Sequence, residues 1–340
     1  MKHPSEHGKK ASRLALIAVI LAVIGGSLLG VHLWEQSQAQ RAREAAAAVE
    51  EPPINERPVV YYNDAWYELR DDLETFLIMG LDKTEETKNE TESYVNNQQA
   101  DFLLLMVVDK THKSYTALHL NRDTMTEIQR LGLNGQKIGT FTGQLALAHT
   151  YGSGGKDSCR NTAKAVSRFL YDVPIDHYFS ITMDAIPILN DLVGGVTVHI
   201  DDDFSAVDPA LEQGKDVRLV GQQALTFVRT RRGVDDQSNL SRMNRQREFI
   251  NALYQQIITK MRANDGFGRQ MAVKLADYTV SDLTTTELSN FADRFKDFTF
   301  VGIQSTRGEA IKGEQFMEYY VDDADLQRLV LALFFERTES

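Results

Sequence analysis

Six arginines (Arg229, Arg231, Arg232, Arg242, Arg245 and Arg247) fall within nineteen residues of a chain whose formal net charge is -11. Only two aspartates, Asp235 and Asp236, lie among them, and no lysine does. Like charges gather at a cost unless an anion sits between them. The planar guanidinium fork fits phosphate oxygens two at a time, which a lysine cannot do. The cluster therefore points to a phosphate or pyrophosphate site. If residues 229–232 are extended, Arg229 and Arg231 share a face; if they are helical, Arg229 and Arg232 do. On the helix that follows, Arg242, Arg245 and Gln246 stand at i, i+3 and i+4 and present together. A solvated face is the competing reading.

Carboxylates at strand ends supply the complementary chemistry. Asp82 closes the apolar run TFLIMGL at 75–81, and Asp101 opens the run FLLLMVV at 102–108. If the two strands are neighbours, both carboxylates meet at one sheet edge. Paired carboxylates with phosphate oxygens form a cage for Mg²⁺ or Mn²⁺, and the alternative of a turn cap and a loop end stays open. Arg122 and Asp123 follow a third apolar strand. The histidines show no metal-ligand spacing. Cys159, the one cysteine, reads as a buried bystander and excludes an internal disulfide. No Gly-rich phosphate loop or nucleophile elbow occurs, and the acidic balance argues against nucleic acid as a partner.

The elements that must position these residues alternate in type. Strands are expected at 75–81, 101–109, 115–120, 175–183, 196–200, 297–305 and 318–321, the second and third forming a hairpin. Helices are expected at 142–151, 157–170, 184–193 (stopped by Gly194 and Gly195), 241–261 and 324–335. Residues 84–99 read as a polar surface loop, and the apolar stretch 185–193 as core. The class is α/β, an α-β-α sandwich around a central mixed, largely antiparallel sheet.

The N-terminus carries the compartment signal. Residues 14–31 hold no charge, and Lys2, Lys9, Lys10 and Arg13 precede them. A helix over 14–34 would span roughly 30 Å, the thickness of a bilayer core. Its flanking charge would keep residues 1–13 in the cytoplasm and the body outside. A signal peptide cleaved after Ala39 is the alternative. Residues 35–72, broken by Pro52, Pro53 and Pro58, read as a stalk, with a body at 73–260 and a C-terminal extension at 261–340 packing on it.

Taken in order, IMGLD (78–82), Asp101 with its apolar run, LNRDT (120–124), VPIDHY (173–178), LNDLVGGVTVHIDDDF (189–204) and GQQALTFVRTR (221–231) with Arg242, Arg245 and Gln246 resemble the LytR-CpsA-Psr family of cell-envelope proteins over residues 72–254. The resemblance implies a membrane-anchored phosphotransferase, of a Gram-positive type of envelope. It would move a glycopolymer, such as teichoic acid or capsular polysaccharide, from undecaprenyl pyrophosphate to peptidoglycan. It implies that Asp82 and Asp101 hold Mg²⁺, with Asp101, Arg122 and Asp82 catalytic. Arg122, Arg229, Arg231, Arg242 and Gln246 would bind pyrophosphate, with Asp123, Arg232 and Arg245 as additional contacts. The polyprenyl tail would lie in an apolar pocket between sheet and helices. A polyprenyl-pyrophosphate hydrolase and a non-catalytic envelope binder are the alternatives. Three positions depart from the family pattern: Asn121 replaces proline, Gln144 replaces a lysine for which Lys137 could substitute, and Asn239 replaces an aspartate.

Overall fold

The computed structural model describes residues 57–82, 98–132, 134–234 and 236–338. The expected membrane helix at 14–34 and most of the expected stalk lie outside these. Among the described residues no helix is long and apolar enough to cross a membrane. The chain divides into two compact units, residues 1–66 and 67–340. Strand β1 (Val59–Tyr62) lies in the first, where the rings of Tyr61 and Trp66 are 5.1 Å apart; β2 (Ala65–Leu69) begins there, and its residues 67–69 belong to the second.

The second unit is built on a six-stranded sheet. Its strands in chain order are β3 (Leu73–Leu81), β4 (Ala100–Asp109) and β5 (Ser114–Leu120), followed, after the separate hairpin β6 (Met125–Leu131) and β7 (Lys137–Gln144), by β8 (His177–Thr182). A small ribbon, β9 (Thr197–His199) with β10 (Asp216–Arg218), stands apart. Strands β11 (Thr279–Ser281) and β12 (Thr299–Gln304) close the sheet, in the order β11-β8-β3-β4-β5-β12. Pairs β3–β4, β4–β5 and β8–β11 are antiparallel, and β3–β8 and β5–β12 parallel. The sheet is mixed, as expected, and residues beyond 260 supply both of its edges. A last hairpin, β13 (Gly308–Lys312) with β14 (Met317–Val321), lies outside it, and β15 (Phe335–Arg337) pairs with Tyr67–Leu69 of β2.

Period-two alternation decides what each face of the sheet meets. Leu77, Met79, Leu103, Leu105, Leu118 and Leu120 point to one side. There they pack against a 3₁₀ turn (Leu145–Thr150), helix α1 (Gly155–Phe169) and, near the chain's end, residues such as Leu329 and Phe334. This core is closed, each of the six leucine and methionine side chains being at most 1% exposed. Phe76, Ile78, Phe102, Leu104 and Met106 point to the other side. Covering them are α2 (Ala185–Val193), α3 (Gln222–Arg229), α4 (Asn239–Ala263), α5 (Phe267–Leu275) and α6 (Thr285–Phe295). A final helix, α7 (Asp323–Phe334), carries the Leu329 and Phe334 side chains of the closed core.

The apolar spacing at 142–151 does not make one helix. Residues 142–144 end β7, and only 145–150 turn, as a 3₁₀ segment. Helix α2 stops where expected: Gly194 takes φ 91°, a left-handed cap that glycine accepts without strain.

Helix α4 is held by a buried guanidinium. Arg245 donates to the backbone oxygen of Phe227 at 3.0 Å and to that of Thr230, pairs with Asp202, and lies over the ring of Phe204 at 5.3 Å. Its donors are spent on the fold. The expectation that Arg245 adds to a phosphate pocket is therefore corrected: the i, i+3 spacing from Arg242 turns it toward the α3 carboxyl end instead. Arg245→Met should leave the half-buried Asp202 without its cation and strip the α3 end of its donor, at a cost of about 3 kcal/mol. Thermal unfolding of the variant checks this, and an unchanged midpoint would show that the brace does not hold the helix.

His119 on β5 is buried against Phe102, ring centroids 4.9 Å apart, and its Nδ1 has no hydrogen-bond partner among the described residues. Burial, with repulsion from Arg247 and Arg242, pushes its pKa down to about 3. The unfolded chain then binds a proton near pH 6.5 that the folded one refuses. Stability therefore falls as pH drops below about 6.5 and goes on falling toward the folded value. His119→Leu should shrink the difference between urea midpoints at pH 7 and pH 4.5; an unaltered difference would contradict this assignment.

Candidate active site

The ends of β3 and β5, which run parallel, carry Asp82 and Arg122, and the antiparallel β4 between them begins beside Asp101. Active sites form at such carboxyl ends. Gly80 pairs with Phe102 and Leu81 with Ala100, so the ladder skips Asp101. That bulge re-aims the Asp101 side chain. It also explains the glycine: a Cβ at position 80 would stand 2.8 Å from that of Phe102.

Asp101 pairs with Arg122 through one oxygen and lies 4.0 Å from Arg242 Nη1 through the other. Arg122 also donates to Gln99 Oε1, and its Nε is 3.3 Å from Asp123 Oδ1. Gln144 donates to the same Asp123 oxygen at 2.9 Å. Asn239, first residue of α4, accepts from Arg242 at 2.6 Å and donates to Asn121 Oδ1 at 2.8 Å. The structure thus brings together Asp101, Arg122, Asp123 and Arg242 from the expected set, and adds Gln99, Asn121, Gln144 and Asn239. Gln99 carried no sequence signal beyond its place ahead of the apolar run. Asn121, Gln144 and Asn239 were visible only as departures from a pattern.

Arg229 ends α3 and pairs with Asp82, both of them partly exposed. Thr230 then turns extended, so neither pairing expected for residues 229–232 applies whole. Arg231 is exposed but close enough to act on both Asp123 and Arg242. Arg232 is exposed. Gln246 is buried and donates to Val228 O at 3.2 Å. Lys137 lies at the far end of β7 from Gln144, seven residues or roughly 23 Å along the strand, and does not replace the missing lysine.

The electrostatics follow from burial. Arg242 is 3% exposed, and its Nε has no hydrogen-bond partner among the described residues. Burial lowers its pKa to about 10 against the pull of Asp101, with Arg231 and Arg122 adding repulsion and Asp123 a smaller attraction. Burial also pushes the Asp123 carboxyl up, against the pull of Arg122, Arg242 and Arg231. A buried donor without a partner, beside an arginine cluster, fits an anionic ligand. Among the described residues no three His, Cys, Asp or Glu side chains gather as a metal cage. Asp82 and Asp101 are nonetheless hard oxygen donors, and Mg²⁺ is commonly held by one or two carboxylates together with substrate phosphates.

Next to this pocket an apolar cavity of about 390 Å³ lies between the sheet and α4. Phe102, the neighbour of Asp101, and Gln246, one turn beyond Arg242, line it with Leu104, Ile186, Leu189 and Leu253. Two α2 residues read as core, Ile186 and Leu189, are therefore cavity wall. A second cavity of about 780 Å³ shares Ile78, Phe179 and Met271 with the first, so the apolar space continues toward α5, α6 and β11.

The chain is similar to proteins already described. It is 30% identical, over 73% of its length and 72% of the relative's, to a polyisoprenyl-teichoic acid–peptidoglycan teichoic acid transferase TagU from Halalkalibacterium halodurans. A protein of the same name from Bacillus cereus is 26% identical over 75% of this chain and 76% of its own. Among solved structures, TagV of B. subtilis superposes with a TM-score of 0.55 at 21% identity, covering 78% of this chain and 97% of that one. TagT bound to LIIa-WTA gives 0.57 at 19% identity, covering 77% and 90%. These likenesses establish the shared fold. The family model matches residues 35–331, and the chain belongs to the LytR_cpsA_psr family.

Proposed function

We propose that the protein is a glycopolymer–peptidoglycan phosphotransferase, anchored by residues 14–34 with its body outside the membrane, and that its donor is a polyprenyl-pyrophosphate-linked polymer such as teichoic acid or capsular polysaccharide, the polyprenyl being undecaprenyl. The relatives named as teichoic acid transferases support the reaction class. The observation that carries the reading is the junction of arginine pocket and apolar cavity. Asp101 and Arg242 belong to the pocket; Phe102, next to Asp101 in sequence, and Gln246, one helical turn beyond Arg242, line the cavity. A ligand with a doubly anionic head and a long apolar tail satisfies both.

In the transfer, an acceptor hydroxyl oxygen bonds to the polymer-bearing phosphorus. The bond from that phosphorus to the bridging oxygen breaks, and lipid monophosphate leaves with the hydroxyl proton lost to solvent or base. Arg122 and Arg242 take up charge growing on the leaving phosphate, held in place by Asp101 before the substrate arrives. Four arginines, Arg122, Arg229, Arg231 and Arg242, face three aspartates here, a small positive excess that a pyrophosphate would exceed. Asp82 and Asp101 would hold Mg²⁺, whose charge, when bound, would cover the remainder.

The test is incubation of the full chain in detergent with a polyprenyl-pyrophosphate-linked oligosaccharide and peptidoglycan fragments, with Mg²⁺ or with chelator, and mass spectrometry of the products. Arg122→Lys keeps the charge but not the fork, and each charge-assisted bond it loses contributes roughly 1.5–3 kcal/mol. Transfer should drop at least about tenfold, and wild-type transfer by this variant would remove the arginine pocket from the mechanism. Ile250→Trp narrows the cavity and should raise KM for a long-chain donor while sparing a short-chain one. Equal effects on both donors would place the tail elsewhere.

A further inference from the structure

We propose that the β13–β14 hairpin is the platform on which the acceptor glycan strand of peptidoglycan docks, an inference that rests on the transfer reaction above. In-line displacement requires the attacking and leaving oxygens on opposite sides of the phosphorus. The leaving side is the one that carries the lipid tail, marked by the cavity behind Phe102. A chain of contacts runs through the pocket among residues that do not line the cavity: Asp101 to Arg122, Arg122 to Asp123, Asp123 to Gln144. Gln144 then donates to the backbone oxygen of Met317 at 2.7 Å, and the Tyr319 amide donates to that of Asp123 at 2.9 Å. The hairpin is thus bonded directly to the pocket wall, and none of its residues lines the apolar cavity.

Its surface is unusual for a soluble hairpin. Ile311, Phe316, Met317 and Tyr320 are all exposed, Phe316 by 56% and Tyr320 by 46%. Strand register places Tyr320 on the same face as Ile311 and Glu318, and the Tyr320 hydroxyl donates to Glu318 at 2.7 Å. Rings flanked by carboxylates suit a sugar polymer: the apolar ring faces of the sugar stack on the aromatics while carboxylates accept from hydroxyl and N-acetyl groups. The charge argues against an anionic membrane as occupant. The hairpin carries Glu309, Glu314 and Glu318 against Lys312, whereas membrane-surface segments gather lysine and arginine.

The experiment compares the full wild-type chain with a Phe316→Ala/Tyr320→Ala variant. Both side chains are exposed, so the melting temperature should hold; Tyr320→Phe serves as a milder second variant that keeps the ring. Three readouts are taken: binding of peptide-free peptidoglycan glycan fragments without donor, binding of polyprenyl-pyrophosphate donor without acceptor, and transfer kinetics. The expected result is at least tenfold weaker glycan binding and a similar rise in acceptor KM, with donor binding unchanged and Tyr320→Phe near wild type. Wild-type glycan binding and KM in the double variant would overturn the platform while leaving the transferase reading intact. A change instead in oligomeric state or in vesicle binding would assign the hairpin to a second copy or to the membrane and overturn it too. A wild-type chain that transfers nothing would remove the reaction and this inference with it.

Discussion

Everything in the site depends on carboxylates interleaved with arginines. Arg122 and Arg242 come from opposite halves of the sequence and would repel if they met alone. Asp101 stands between them, paired with the first and 4.0 Å from the second. A sequence reading suggests a self-repelling pocket that waits for its anion. The structure instead holds its cations in a nearly balanced lattice, with Asp82 on Arg229 and Asp123 beside Arg122. Such a lattice is preorganised: the donors do not have to gather when charge develops, which is where electrostatic catalysis gains most. Among the described residues Arg242 combines burial with an Nε that has no hydrogen-bond partner, which leaves it short of partners.

The lattice needs a sheet whose two faces are used differently. Toward α1 and α7 the leucines of β3, β4 and β5 close a core that fixes the strand ends. On the opposite face the residues are equally apolar, yet the helices do not fill the space. Unfilled apolar volume costs stability, so a cavity of this size persists only where the surrounding framework is rigid. Arg245 contributes that rigidity by tying α4 to the end of α3 through Phe227 and Thr230. The same helix therefore carries the pocket's buried arginine, the cavity wall and the brace that keeps them apart.

How much of this was legible depended on periodicity. The strands 75–81, 101–109 and 115–120 and their hairpin could be read because unbroken apolar runs bounded by polar turns admit little else. The ends of those runs located Asp82, Asp101 and Arg122. The hairpin of β6 and β7 could not be read in that way. Its outer face is polar, and the following LALAHT has helical spacing although it forms only a 3₁₀ turn. Arg245 was legible as a helical arginine but not as a brace, since spacing within α4 does not say which neighbour each face meets. The cavity was expected from the resemblance and not from the pattern: Ile186 and Leu189 have the same spacing whether they pack on protein or line a void.

The two amide departures are explained by charge balance. Where the resemblance leads one to expect lysine and aspartate, this chain has Gln144 and Asn239. Losing one cation or one anion alone would tilt a lattice that is already close to balance. Losing one of each leaves the sum unaltered, and the amides retain the geometry. Gln144 still donates to Asp123, and Asn239 still accepts from Arg242. What changes is strength, because a neutral partner stabilises a neighbouring charge less than an ionised one. Asp123 is left with a carboxyl raised by burial, and Arg242 with a guanidinium lowered by it. Arg242 is thereby left readier to take an anionic ligand than a fully paired guanidinium would be, because an incoming pyrophosphate competes with the Asn239 amide and not with a second carboxylate.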